Sequence, residues 1–281
     1  MRLNHNMMSL NAYRTYTKNL AAQGKSMLRV SSGDKITRTM DNAAGMAQRE
    51  QLRIQIRGLQ MSQKNMQDGI SMLQSAGGGL ENVITALNRI RELTVSCDEL
   101  KTKEDRESVQ KEIDQMLNSV DSIANNTEFN GIKLLGKGIG EPPTIKMSAG
   151  ANVGEYLDIP INNLTTTNLT DTKGNNLRSI DIVSLGNLDK SLDIIDASLD
   201  AVISIRSKYG ALENRMESVY YMQRENSLII ESADSSIGDV DIAEEMMELT
   251  KSNLLVEACN AMIAQSNKLP QEALRVLERI R

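Results

Sequence analysis

Apolar residues recur along this chain with the spacing of helices that pack side by side. A first run steps alternately by four and three residues, a second extends from Val109 to Ile123, and a third from Leu188 to Val202. The first run comprises Leu52, Ile56, Leu59, Gln63, Met66, Ile70 and Leu73. A mean period of 3.5 residues predicts helices that supercoil around one another.

Helix-breaking residues are concentrated in the middle of the chain. The four prolines stand at positions 142, 143, 160 and 270, so two long arms contain none. We predict helices over about 45–98, 104–127 and 187–235, in a mainly α fold that forms a long antiparallel coiled-coil-like rod. Gly77–Gly79 could break the first helix, because glycine destabilises a helix interior. Such a break would give the alternative, an ordinary soluble antiparallel bundle.

The stretch between the arms has the alternation of short β-strands. Ile145 and Met147 alternate with polar residues, as do Leu157 and Ile159 after a glycine-rich turn. This pattern predicts a β-hairpin within a region of about 136–186, with Pro160 at an edge position. A third short strand is expected near Ile180.

Composition excludes several classes of protein. Of 281 residues, one is histidine, two are cysteine, none is tryptophan and 2% are aromatic, so neither a zinc site nor a catalytic triad is expected. Residues 131–138 approximate a phosphate-binding loop but lack its hydroxyl residue. We therefore expect no enzyme activity and no cofactor. The net charge of −5 argues against nucleic-acid binding. Without a long apolar run or a signal peptide, we expect no membrane span and a cytoplasmic protein.

The two ends of the chain carry opposite charge. Residues 1–40 contain seven Lys and Arg against one Asp, and residues 231–260 contain eight Asp and Glu against one Lys. Both segments also have amphipathic apolar stripes. Complementary ends predict that the terminal helices pair with each other, within or between molecules. The competing interpretation is a basic helix that lies on a membrane surface.

Several longer segments resemble bacterial flagellins, in the order that this family has. The N-terminal run MRLNHNMMSLNAYRTY is followed by DNAAG at 41–45, LNRIRELTV at 87–95 and NTEFNGIKLL at 126–135. Near the other end, IGDVDIAEEMMELTKSNLL at 237–255 and AMIAQSNKLPQ at 261–271 match the C-terminal signature. The resemblance covers about four-fifths of the chain.

This resemblance implies a subunit of the flagellar filament, polymerised for motility. Residues 1–44 and 237–281 would pair as the inner-tube domain, and residues 45–236 would form the outer tube with one continuous helix through Gly77–Gly79. The implied partners are further copies of the chain, an export chaperone, and the hook-associated and cap proteins. Flagellins leave the cell unfolded through the flagellar type III export channel without a cleaved signal, so the resemblance replaces the cytoplasmic expectation with an extracellular one. The variable outer domain of the family is nearly absent.

The resemblance and the apolar stripes also nominate residues. Filament contacts are predicted at Leu3, Met7, Leu10, Leu249, Val256, Ile263 and Leu269. The family's segment for a host Toll-like receptor is matched by Arg89, Arg91, Glu92, Leu93 and Glu112, which could equally be solvated or packed in the filament. Possible O-glycan sites are Thr165, Thr166 and Thr167, in a loop expected to be exposed.

The sequence departs from the family in several places, and two alternative functions stay open. Ser236 and Gly238 stand where the family usually has arginines, which predicts a weaker contact there. Cys259 stands where glycine is typical. A hook-associated junction protein shares parts of these end signatures, and a coiled-coil scaffold unrelated to flagella would share the heptads but would not form long filaments.

Overall fold

The computed structural model describes residues 6–97, 102–136, 144–170, 174–184 and 187–279, and of 269–270, 273–274 and 276–279 the backbone only. Most of these residues are helical. The helices are α1 (Met7–Ser32), α2 (Ala43–Ser96), α3 (Lys103–Asn126), α4 (Leu188–Gly238) and α5 (Ile242–Arg279). The mainly α class is thereby confirmed.

Helix α2 is continuous for 54 residues and includes Gly77–Gly79. The continuity was predicted from the resemblance, and the alternative of a break at the glycines is wrong. The heptad explains why, because Leu73, Ala76, Leu80 and Val83 are all buried on either side of the glycines. Packing of this face outweighs the poor helix propensity of three residues.

Two small antiparallel hairpins make up the β-structure of the described residues. β1 (Glu128–Phe129) pairs with β2 (Ile132–Lys133), and β3 (Thr144–Ser148) pairs with β4 (Tyr156–Pro160). The β3–β4 hairpin is the one that the alternation predicts, with Ile145 opposite Ile159 and Met147 opposite Leu157. The prediction of a third strand near Ile180 is wrong. Leu177–Ser179 forms a 3-10 turn, and Ile180 and Ile182 are buried without joining a sheet.

The described chain forms two compact units. The terminal unit consists of residues 1–55 and 229–281, and the central unit of residues 56–228. Both segments are longer than those of the predicted inner domain, which were 1–44 and 237–281.

The central unit has a continuous apolar core. Heptad positions of α2, α3 and α4 meet in it, including Met66, Leu87, Ile113, Val120 and Ile195, each fully buried. The β3–β4 hairpin packs where α2 has no side chain. A Cβ at Gly58 would lie 2.9 Å from the Cβ of Ala151, and one at Gly69 would lie 2.7 Å from the Met147 sulfur. The hairpin therefore packs closely against α2 at these two glycines.

Candidate functional site: the terminal helix pair

Helices α1 and α5 pack against each other through a seam in which small and polar residues alternate with a few half-buried apolar ones. The seam of α1 follows a heptad, with Ser9, Ala12, Tyr16, Asn19, Gln23 and Ser26 half-buried or buried. On α5 the positions are Glu245, Leu249, Ser252, Val256, Cys259, Ile263 and Ser266, again in steps of four and three. Buried serines occupy the places that apolar residues fill in an ordinary coiled coil.

Side-chain amides connect the two helices across this seam. Asn6 donates to the backbone oxygen of Ser266 at 2.9 Å, and Ser266 Oγ donates to Asn6 Oδ1 at 3.1 Å. Gln23 donates to Asn253 at 2.5 Å, and Asn19 to the Cys259 sulfur at 3.8 Å. Asn6 also caps α1 by accepting from the Ser9 N–H. These bonds set an antiparallel register, which supports the predicted pairing of the terminal helices within one chain.

Charge contributes less to this pairing than the sequence predicts. Among the described residues, a single ion pair joins α1 to α5, between Arg29 and Glu245 at 3.6 Å. Lys25 instead pairs with Asp41 at 2.6 Å, a contact that lowers the pKa of Asp41 first through the hydrogen bond and then through charge. The helices pair as the complementary ends predict, but among the described residues charge is not the main link between them. The heptad geometry places most of these charges away from the seam.

The apolar residues that the seam omits lie on the outer surface of the pair. In the described part of the terminal unit, the one buried large apolar side chain is Ile36. The exposed apolar surface of α1 and α5 includes Met7, Met8, Leu10, Tyr13, Leu20, Met27, Leu28, Ile242, Met246, Met247, Leu254, Leu255 and Met262. A groove of about 430 Å³ between the helices is lined by Met8, Ala12, Leu255 and Met262 with four further residues. Such a large apolar surface is typical of an interaction site.

An arginine cluster holds together the ends of four helices in the terminal unit. Arg49 of α2 is 5% exposed and binds Asp34 at 2.5 Å and Asp234 of α4 at 3.4 Å. Burial alone would lower the pKa of Arg49, but the hydrogen bond to Asp34 and the charges of Asp34, Asp234 and Asp239 raise it. Nearby, the Lys35 N–H donates to the Gly238 oxygen and the Val240 N–H to the Gly33 oxygen.

Gly238 leaves room for the Arg49 side chain in this cluster. A Cβ at that position would overlap the guanidinium of Arg49. The sequence predicts a weaker contact here because Gly238 replaces an arginine. In the structure, Arg49 reaches the acidic groups from α2 and lies beside Gly238.

The predicted filament contacts fall into three groups. Met7 and Leu10 are exposed on α1, whereas Leu249, Val256 and Ile263 are half-buried on the seam of α5. Leu3 and the side chain of Leu269 lie outside the described residues. Leu254, Leu255 and Met262 were missed, although a search for apolar residues away from the serine-containing heptad would have found them.

Four of the receptor candidates lie on α2 in the central unit, and Glu112 lies on α3. Arg89 binds Glu92 at 3.1 Å and Glu112 of α3 at 3.4 Å. The hydrogen bond to Glu92 is the main cause of the raised pKa of Arg89. Arg91 binds Asp196 of α4 at 2.7 Å. Leu93 is 7% exposed and belongs to the core. The structure thus groups Arg89, Glu92 and Glu112, and separates them from Arg91 and Leu93.

The threonine loop is not uniformly exposed. Thr166 is fully buried, and its backbone N–H and its hydroxyl each donate 2.8 Å hydrogen bonds to Asp121. The expectation that all three threonines lie in an exposed loop is therefore wrong for Thr166, because its side chain is buried and its hydroxyl donates to the half-buried carboxylate of Asp121. Thr165 is half-buried, and Thr167 is exposed.

Within the described residues, no group of three or more His, Cys, Asp or Glu side chains could hold a metal ion. None of the described helices is long and apolar enough to cross a membrane. Paired helices with a polar seam and an apolar exterior have the character of an assembly subunit.

Comparison with known proteins assigns the class. Residues 3–138 match the model of the bacterial flagellin N-terminal helical region, and residues 192–277 that of the C-terminal helical region. The chain belongs to the bacterial flagellin family. It is 38% identical to a flagellin of Halalkalibacterium halodurans over 99% of this chain and 100% of that protein. With the same coverage, it is 33% identical to the flagellar filament 30.7 kDa core protein of Treponema maltophilum.

One solved structure shares the fold. A protein assigned to the flagellar hook-associated proteins of Vibrio parahaemolyticus matches with a TM-score of 0.60, at 16% identity over 71% of this chain and all of that one. At this identity the likeness concerns the fold alone.

Proposed function

We propose that the chain is a structural subunit of the bacterial flagellar filament that polymerises through its terminal unit. The observation that carries the proposal is the inverted distribution of apolar residues between the two units. The central unit buries its apolar side chains, whereas the terminal unit buries serines and leaves most of its large apolar side chains in solvent.

The exposed surface needs a partner of matching chemistry. The relatives include a filament core protein, so the partner most consistent with the family is a second copy of the chain. Docking of apolar side chains into the groove beside Leu255 would remove them from water. A contact between two different surfaces repeats without closing, and repetition produces a helical polymer.

The assembly test uses an exposed residue that the free subunit does not need. Leu254 is 62% exposed, so Leu254→Gln should change the melting temperature of the subunit little. Loss of its burial between subunits is expected to raise the critical concentration for seeded polymerisation roughly tenfold. Electron microscopy and sedimentation measure both filaments and critical concentration. A wild-type protein that forms no filaments with seeds would contradict the proposal, and an unchanged critical concentration would remove Leu254 from the contact.

We also propose the cellular route that flagellins share. The chain would leave the cell unfolded, without a cleaved signal, and would function in the extracellular filament. An export chaperone, the hook-associated proteins and the cap would be its partners. The small apolar core of the terminal unit supports this route, because little structure there must be undone before export. A hook-associated junction protein remains the alternative, and a chain that caps filaments without elongating them would favour it.

Recognition by a host Toll-like receptor is a second candidate function. Its support is the exposed charged group formed by Arg89, Glu92 and Glu112, which are accessible in the free subunit. Leu93 is buried and would act only through packing, and Arg91 would face a different side.

The receptor test compares two exposed arginines. Arg89→Ala is expected to reduce the response of a receptor-reporter cell to free subunits. Arg206→Ala is the matched control, because Arg206 is about equally exposed and also pairs with a glutamate, Glu81. Equal signals from wild type and Arg89→Ala would exclude Arg89 from the recognised surface.

A further inference from the structure

The methionines of this chain are divided unequally between its two units. Eight described methionines belong to the terminal unit, and Met46 is the one among them that is not exposed. Six of the exposed ones lie on α1 and α5 and are here called the surface methionines: Met7, Met8, Met27, Met246, Met247 and Met262. Their exposed fractions range from 43% to 67%.

The central unit uses methionine in the opposite way. Met66 and Met216 are fully buried and Met72 is 5% exposed, in contact with the apolar core. Only Met61 and Met222 are exposed among the described methionines of this unit. The same side chain therefore fills a core in one unit and forms a solvent-facing apolar surface in the other.

Exposed thioethers are chemically vulnerable in a way that leucine or isoleucine is not. A hydroperoxide transfers one oxygen atom to the sulfur: the O–O bond breaks and an S=O bond forms. The sulfur loses two electrons to the peroxide, which leaves as water from hydrogen peroxide or as an alcohol from an organic hydroperoxide. The product, methionine sulfoxide, is polar. A surface that carries several sulfoxides loses the apolar character that makes its burial favourable.

We propose that the surface methionines are a modification site through which hydroperoxides control self-assembly. The inference rests on the proposed polymerisation through the terminal unit. Oxidation of the free subunit converts its apolar surface to a polar one and prevents addition to the filament. Burial of the same sulfurs between subunits protects them once the subunit has assembled.

Two of these methionines lie where the effect should be largest. Met8 of α1 and Met262 of α5 line the same groove, together with Leu255 and Ala258. A sulfoxide on either side places a strong hydrogen-bond acceptor in a cleft that has few donors. Losing the burial of one such side chain corresponds to about a tenfold change in an association constant, or more.

The experiment oxidises the free subunit and then measures assembly. Full-length protein carrying Cys259→Ser is treated with hydrogen peroxide, and mass spectrometry measures the sulfoxide at each methionine. Met66 and Met216 are internal standards that should remain reduced if the central unit stays folded. Seeded polymerisation is then expected to show a critical concentration at least about tenfold above that of the untreated protein.

Two variants locate the effect. Met→Leu at all six surface methionines keeps an apolar side chain of similar volume that peroxide cannot oxidise. Its critical concentration, compared with its own untreated value, should not respond to peroxide. The matched control, Met61→Leu with Met222→Leu, leaves the surface methionines intact and should respond as the parent does.

The outcomes separate this inference from the proposed function. An untreated protein that forms no filaments contradicts both. An untreated protein that assembles, but whose critical concentration is unchanged when the surface methionines are oxidised, overturns the inference alone. So does an equal response of the six-leucine variant. Preformed filaments provide the last comparison, because surface methionines that oxidise as fast there as in free subunits would show that assembly does not bury them.

Discussion

At the residue scale, one tyrosine joins the β3–β4 hairpin to α4. Tyr209 is 4% exposed, and its hydroxyl donates to the Pro160 oxygen at 2.9 Å and accepts from Asn162 at 3.4 Å. Burial raises the pKa of Tyr209, and its two hydrogen bonds with Asn162 act in the opposite direction. The partner of its hydroxyl comes from β4, which is distant along the chain, and could not be predicted from the sequence.

Tyr209→Phe should destabilise the central unit by about 1 kcal/mol, because the Pro160 oxygen loses its donor. The wild type should also lose stability as the pH rises above 10, the ordinary pKa of tyrosine, toward the higher pKa of folded Tyr209. Stability falls because the tyrosine hydroxyl loses its proton at a lower pH in the unfolded chain than in the folded one, which favours the unfolded state.

Urea unfolding of both proteins at pH 7 and at pH 10.5 measures the two effects. The difference between wild type and Tyr209→Phe should be smaller at the higher pH. A constant difference would show that the hydroxyl is not buried and neutral as described.

At the element scale, the three consecutive glycines of α2, Gly77–Gly79, differ in what a side chain at each position would contact. A Cβ at Gly78 would have no neighbour within 4 Å. A Cβ at Gly79 would lie 2.7 Å from Leu135 Cδ1 and 2.7 Å from Thr127 Oγ1. The sequence shows three equal glycines, and only the packing of the segment after α3 distinguishes them.

Gly78→Ala should therefore stabilise the protein by about 0.5–1 kcal/mol, because alanine reduces the freedom of the unfolded chain and favours the helix. Gly79→Ala, the matched substitution one residue away, should destabilise it by roughly 1–3 kcal/mol through overpacking. Thermal unfolding measures both. Stabilisation by both substitutions would mean that Leu135 does not pack against α2 at this point.

The terminal helices illustrate a different limit of prediction at this scale. Apolar spacing found the buried faces of α2, α3 and α4 because those faces are made of Leu, Ile, Val and Met. The same search on α1 selected Met7 and Leu10, which lie outside the seam, whereas on α5 it selected Leu249, Val256 and Ile263, which lie on it. On α1 the seam consists mostly of Ser, Ala, Asn and Gln, a pattern that hydropathy alone does not detect.

At the scale of the whole molecule, the two units differ in what can stabilise them. The central unit has a core of more than twenty buried apolar side chains, which is sufficient to offset the entropy of ordering its helices. The described part of the terminal unit has Ile36, a set of seam hydrogen bonds and the Arg49 cluster. Hydrogen bonds exchanged with water contribute little each, so the terminal unit should open readily in the free subunit.

Hydrogen exchange is expected to resolve this difference. In free subunits, amides of α1 and α5 should exchange far faster than those of α2 between Leu73 and Leu93, since opening the terminal unit exposes almost no apolar core. In filaments the amides of α1 and α5 should become strongly protected, because neighbouring subunits would then cover Leu10, Leu254 and Leu255.

The control lies within the same molecule, because amides of α3 around Ile113 should exchange slowly in both states. Equal protection of α1 and α3 in the free subunit would mean that the polar seam is stable by itself. Assembly would then add a contact to folded helices. If α1 instead gains protection only on polymerisation, the apolar surface that the free subunit leaves in water is the part of the core that its neighbours complete.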